Sequence, residues 1–185
     1  MSISSKLKEF DEQLRTNNAW VLEYFLEGLS REKIISEFRT ASLTPSEELV
    51  ELYQWKNGVQ YKGVPSGKLS FGVNGVFYPL ADSVKIYKDF QDEFVDYFPI
   101  FSDDSYLILM NKESKDFGKI FIYSPSLVIV EPEGIFDSLS CMIETFIIGF
   151  REGIFFYDAD NYFDWDSPRR RDMAKKLNPN SSYWH

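Results

Sequence analysis

The chain has one cysteine, Cys141, and one histidine, His185. A single thiol excludes an intrachain disulfide, and inside an apolar helical stretch it reads as a small buried hydrophobe. Serine and cysteine nucleophiles need a base beside them, usually imidazole. The only imidazole belongs to the final residue, where chains order poorly, so Ser-His-Asp, Cys-His and HExxH chemistry drop out. Zinc requires clustered Cys and His, and one of each cannot form a site. No P-loop and no GxGxxG fingerprint occurs, and Gly72, Gly75 and the glycines between 61 and 67 read as turns. Long apolar runs are also missing. Leu139 to Phe150 is the most apolar helical stretch, carries Glu144, and falls short of the roughly 20 residues a membrane span needs. The start, MSISSKLKEFDEQLR, has no apolar h-region, so it is not a signal peptide. These absences point to the cytoplasm and to no membrane association.

Basic residues are the scarcer charge. Twenty Lys and Arg face 29 Asp and Glu, for a formal net charge of −9. Binding to phosphates needs a basic face, so nucleic acid is not the expected partner. An acidic field favours solubility and steers basic partners into encounter.

Apolar material is plentiful. Hydrophobic residues make up 44% of the 185, with 17 Phe and 11 Tyr. Such a chain offsets its ordering entropy by burial and is not disordered. The length suits one domain with appendages.

Along the chain, Leu7, Phe10 and Leu14 define one helical face. Asn17 and Asn18 predict a second helix through Val21, Leu22, Phe25 and Leu29, and Ser30 a third through Ile34, Ile35 and Phe38. Thr44-Pro45-Ser46-Glu47 reads as an N-cap, a first-turn proline and the N3 glutamate of a capping box. The helix it opens carries Leu49, Leu52 and Tyr53 and stops at Asn57-Gly58. Lys68 to Val73 and Val76 to Leu80 flank Asn74-Gly75, a hairpin signal. Ala81-Asp82-Ser83 caps a helix to about Val95. Strands follow at Tyr106 to Met110, Lys119 to Tyr123 and Leu127 to Val130. Asp137 caps the last core helix, whose stripe is Leu139, Met142, Ile143, Phe146, Ile147 and Phe150. Strands in succession, without βαβ alternation, predict an α+β fold with a mostly antiparallel sheet and helices packed on it.

In this order the pieces resemble the SUKH superfamily. That family includes a fungal cell-wall-assembly regulator and many bacterial toxin-immunity proteins. The resemblance is carried by Leu43-Thr44-Pro45-Ser46-Glu47-Glu48-Leu49 with Leu52-Tyr53 and Asn57-Gly58, by Tyr97-Phe98-Pro99-Ile100-Phe101-Ser102-Asp103-Asp104 before Tyr106-Leu107-Ile108-Leu109, by Gly118-Lys119-Ile120-Phe121-Ile122-Tyr123, and by Asp137-Ser138-Leu139 with Phe146. It covers roughly residues 41 to 153. Residues 1–40 then form a helical extension packed on the core, and residues 154–185 an acidic-aromatic C-terminal extension. The resemblance implies no cofactor, no catalytic residue and work by protein–protein contact. It suggests an immunity protein that neutralises a cognate toxin, a basic one such as a nuclease, or else an intracellular scaffold of the wall-synthesis-regulator kind.

For the residues themselves, carboxylate chemistry remains open. Asp103 and Asp104 are adjacent, and adjacent side chains diverge on a strand or turn. A carboxylate-only hydrolase would have to use them or Asp158 and Asp160. The run from Asp158 to Asp166 hints at a calcium loop, but Phe163 stands where an EF-hand needs glycine and Arg169 where it needs glutamate. In the same run Phe155, Phe156, Tyr157, Tyr162, Phe163 and Trp165 interleave with Asp158, Asp160, Asp164 and Asp166. Aromatics anchor interfaces and acids steer basic partners, so Tyr157, Asp158, Asp160, Tyr162, Asp164 and Trp165, with Asp103 and Asp104, are the candidate partner-binding residues. The competing expectation is that the aromatics fold back as core cover and leave only the acids wet. Arg169-Arg170-Arg171 and Lys175-Lys176 then form a solvated final helix.

Overall fold

A computed structural model describes residues 3–73, 75–90, 96–102, 106–110, 116–124 and 129–185. Helix α1 (Ile3–Thr16) buries Ile3, Leu7, Phe10 and Leu14, the face its spacing predicts. It packs along α6 (Leu139–Arg151) and α3 (Glu47–Trp55). Every residue of the α6 stripe is at most 3% exposed. One apolar cluster runs from Ile3 to Trp184, so both flanks share the core of the middle segment.

The predicted second helix does not form. Asn18 ends α1 at φ 50°, a 3-10 turn follows at Trp20–Glu23, and Phe25–Glu27 becomes strand β1. It pairs antiparallel with β2 (Lys56–Val59). A Cβ on Gly28 would sit 1.8 Å from the Gln54 carbonyl oxygen, so the chains meet backbone to backbone there. Pairing with a segment thirty residues away overrode a local periodicity of 3.6.

Helix α2 (Arg31–Arg39) starts at Ser30 as expected, with Ser30 Oγ accepting from the Lys33 amide at 3.2 Å. Helix α3 starts two residues later than the capping-box reading. Its N-cap is Ser46, whose Oγ accepts from the Leu49 amide at 3.2 Å, and Glu47 pairs with Arg31 instead (2.8 Å). Asn57-Gly58 lies just beyond α3, as expected, and is also part of β2. Gly58 has φ 74°, and a Cβ there would lie 2.3 Å from the Pro79 nitrogen. Asn57 Oδ1 accepts from the Leu80 amide at 3.0 Å, so it satisfies a first-turn donor of α5 (Leu80–Phe90).

The main sheet is a meander in the order β3-β4-β5-β6-β7, all antiparallel. Its strands are β3 (Val76–Phe77), β4 (Tyr97–Ser102), β5 (Tyr106–Met110), β6 (Ile120–Ser124) and β7 (Ile129–Phe136). The α+β class is as predicted, and the three successive strands are antiparallel neighbours. The Lys68–Val73 strand is not there. Ser66–Leu69 forms a single helical turn, α4, followed by an isolated bridge between Phe71 and Val73, and β3 pairs with β4 instead. Asn74, half of the predicted turn, lies outside the described residues. Burial explains the change: Phe71 is 1% exposed and its ring meets Phe10, Phe25, Phe101 and Phe146 at centroid distances of 5.5–6.4 Å. Next to it, a Cβ on Gly72 would be 2.2 Å from the Phe146 ring. The segment is used as core filling, not as ladder.

Strand β7 is a sheet edge, which suits Glu131, Pro132 and Glu133, because charge and a missing N–H discourage further pairing. The C-terminal tail covers its far end. Ser181 Oγ donates to the Gly134 carbonyl and Trp184 Nε1 to the Ile135 carbonyl, both at 2.7 Å. The N-cap of α6 is Ser138, whose Oγ accepts from the Cys141 amide at 3.0 Å, rather than Asp137. Asp137 joins the tail: its amide donates to Asn178 Oδ1 and its Oδ2 accepts from Asn180 Nδ2. Cys141 is half-buried rather than sealed. The chain closes with a ribbon, β8 (Phe155–Tyr157) and β9 (Phe163–Trp165), and helix α7 (Ser167–Leu177). No helix among the described residues is long and apolar enough to cross a membrane.

Candidate protein-binding surface

The β8–β9 ribbon pairs Phe155 with Trp165, Phe156 with Asp164 and Tyr157 with Phe163. Alternation along each strand then sorts the side chains into two faces. The inner row is Phe155, Tyr157, Phe163 and Trp165. Phe155 and Phe163 are 1% and 6% exposed, and the row packs on Phe150 and Phe146 of α6. A Cβ on Gly149 would be 2.2 Å from the Phe155 ring, so helix and ribbon meet at van der Waals contact through a missing side chain. Tyr157 stacks on Phe150 and its hydroxyl donates to the Ser70 carbonyl at 3.0 Å. Burial raises the Tyr157 hydroxyl pKa above its ordinary value.

The outer row is Phe156 and Asp158 on one strand, facing Asp164 and Tyr162 on the other. All four are exposed, as is Asp160 in the connecting turn. Phe156 and Tyr162 are 41% and 40% exposed and, with Phe117, are the exposed large hydrophobics among the described residues. The turn is fixed by Asp158, whose Oδ1 accepts from the Asp160 and Tyr162 amides at 2.9 and 2.8 Å. Asn161 takes φ 64°, a left-handed conformation that Asn tolerates better than most residues. Asp164 Oδ1 accepts from the Trp165 amide at 2.8 Å. The face is therefore preformed, with aromatic and carboxylate groups alternating across the strands.

Both anticipated fates of the aromatics are realised at different positions. Tyr157 folds back as core cover, and Trp165 is half-buried with the Arg170 guanidinium over its ring at 4.4 Å. Tyr162 stays at the surface, with Lys68 Nζ 5.0 Å from its ring centroid and 4.9 Å from that of Trp20. Sequence alternation implicated the segment but passed over Phe156 as a contact residue. Phe156 is outward only because the ribbon register places it opposite Asp164. Asp103 and Asp104 lie outside the described residues. Among the described residues no group of three or more His, Cys, Asp or Glu is arranged to hold a metal ion.

A second acidic surface lies on the main sheet. An open groove of about 610 Å³ runs along β6, β7 and the tail, with Asp116, Glu131, Glu133 and Asp137 on its walls. Phe121 contributes to its floor and packs with Tyr97 and Tyr123 as a small cluster apart from the main core. Lys119 in the groove is already paired with Asp116 at 2.8 Å. These residues run from Asp116 to Asp137 with Asn180 to Ser182 of the tail, and only the folded sheet and tail gather them, so no local motif announces the groove.

Comparison with protein-family models and with curated proteins gave no match for this chain.

Proposed function

We propose that this protein works by binding another protein rather than by turnover, and that it is a cytoplasmic immunity protein whose cognate toxin is basic. The observation that carries the reading is the outward face of the β8–β9 ribbon. Two exposed aromatic rings there stand across from carboxylates on a turn already held by its own hydrogen bonds. Aromatic side chains at the centre of a contact supply most of its energy. Carboxylates around them set association rate and orientation, and the net charge of −9 extends the same attraction over the molecule. Preorganisation lowers the entropy lost on docking. The resemblance to the SUKH superfamily supplies the immunity role.

The test uses the toxin domain encoded beside the gene. The full chain should bind it in calorimetry and protect cells that express it. The double variant Phe156→Ser/Asp164→Lys should bind at least about tenfold more weakly, equivalent to about 1.4 kcal/mol, with an unchanged circular dichroism spectrum. Raising salt should slow association of the native chain more than that of the variant. Absence of binding, or equal binding by the variant, would refute the proposal or its assignment to this ribbon, respectively.

A further inference from the structure

Helix α7 carries Arg169, Arg170 and Arg171 in its first turns, and Arg170 differs from every other arginine in the chain. It alone is half-buried, while the rest are exposed. Its guanidinium carbon lies 4.4 Å from the ring centroid of Trp165 in β9 and 5.3 Å from that of Trp184 in the tail. The two indoles hold the cation in place through its π-facing contacts, but neither ring accepts a hydrogen bond in the guanidinium plane. Four of the exposed arginines have acceptors: Arg15 has Asp11, Arg31 has Glu47, Arg151 has Glu9, and Arg169 has the Glu152 carbonyl. Among the described residues the Arg170 guanidinium has no hydrogen-bond acceptor and no carboxylate at ion-pair distance, although acids outnumber bases in the chain.

A desolvated cation is ordinarily paired. Burial without a counter-charge lowers the Arg170 pKa to about 10, with Tyr183 acting weakly in the opposite sense. Its nitrogens are nevertheless not fully sealed, because the sole sealed, unpartnered side-chain atom among the described residues is Asp137 Oδ1. A fork of N–H donors that is held in place, half-desolvated and lacking an acceptor is the complement of a planar oxyanion.

We propose that Arg170, bordered by Trp165 and Trp184, is a binding site for a carboxylate. A carboxylate brings the single negative charge that one guanidinium neutralises, and the chain's negative field opposes a dianion such as phosphate. The site is independent of the ribbon's outward face, since Trp165 belongs to the inner row and the ligand has the opposite charge.

The experiment is a titration of the full-length, ¹⁵N-labelled protein with sodium acetate, following arginine Nε–Hε and tryptophan Nε1–H resonances. Sodium chloride at matched ionic strength is the control. The Arg170 resonance, with those of Trp165 and Trp184, should move saturably with acetate and not with chloride, while Arg31 and Arg39 stay still. Arg170→Lys, which keeps the charge but loses the fork, should weaken the response at least about tenfold. Arg171→Lys should leave it intact and shows that the loss is not a general effect of altering α7. A response that never saturates, that chloride reproduces, or that survives Arg170→Lys overturns the site. Tighter binding of inorganic phosphate than of acetate overturns its assignment to carboxylates.

Discussion

Replacing Asn178 by alanine tests whether the C-terminal tail is part of the fold or an ornament on it. Asn178 is 0% exposed and joins three elements. Its Nδ2 donates to Thr145 Oγ1 in α6 and to the Ala174 carbonyl in α7, both at 3.1 Å, and its Oδ1 accepts from the Asp137 amide at 3.1 Å. In the alanine variant Thr145 keeps its bond to the Cys141 carbonyl, and the Ala174 carbonyl keeps the Asn178 amide. The Asp137 amide is left without its partner. Stranding such a donor costs about 1–3 kcal/mol, and the two other lost bonds contribute about 0.5–1.5 kcal/mol each. The sum is about 2–6 kcal/mol with a centre near 4, which in a chain of this size lowers Tm by roughly 8–16 °C. Urea unfolding followed by tryptophan fluorescence gives the free energy, and hydrogen exchange at the Asp137 amide gives the local effect. Asn180→Ala removes only an exposed partner of Asp137 and should stay within about 0.5 kcal/mol. If Asn178→Ala costs less than about 1 kcal/mol, or no more than Asn180→Ala, the tail does not brace the junction of β7 and α6.

Gly149→Ala should destabilise by about 1–3 kcal/mol through overpacking against Phe155, although a Gly-to-Ala change inside an ordinary helix gains about 1 kcal/mol; a stabilised variant in urea titration would contradict the ribbon–helix contact. Burial raises the hydroxyl pKa values of Tyr53 and Tyr157 above 10.0, so the folded state keeps protons that the unfolded chain releases. Their contribution is complete below pH about 10 and is lost as pH rises further. Phenolate absorbance from these two should therefore appear together with loss of circular dichroism, and Tyr53→Phe should remove one such step. Phe156→Ser should change stability by less than about 1 kcal/mol because the ring is 41% exposed; a large loss would show that it packs on something and is not a contact residue.

Helix α6 was legible in the sequence because its six-residue stripe is a local pattern, and every member of it is buried. The same holds for α1 and for the order of β5, β6 and β7. Local pattern and observed conformation part where a distant partner decided the conformation. Phe25 fits a helical stripe, but β2 offered ladder hydrogen bonds. Phe71 fits a strand, but the aromatic core took its ring. Ser46 displaced Thr44 as the cap of α3, and Glu47 was held by Arg31 instead of closing a capping box.

For the candidate surfaces the division is the same. The interleaving of aromatics and acids after Phe155 was visible in the sequence, as was the excess of carboxylates on which the proposal of a basic partner rests. Which aromatics turn inward depended on the parity of ribbon pairing, because a shift of one residue would exchange Phe156 and Asp164 with Tyr157 and Phe163. The neighbours of Arg170 come from β9 and from the tail, elements that converge only when both pack against α7. Charge and periodicity are properties of the chain taken in order. Proximity between residues far apart in that order is set by the burial of the shared core, and only the folded chain contains it.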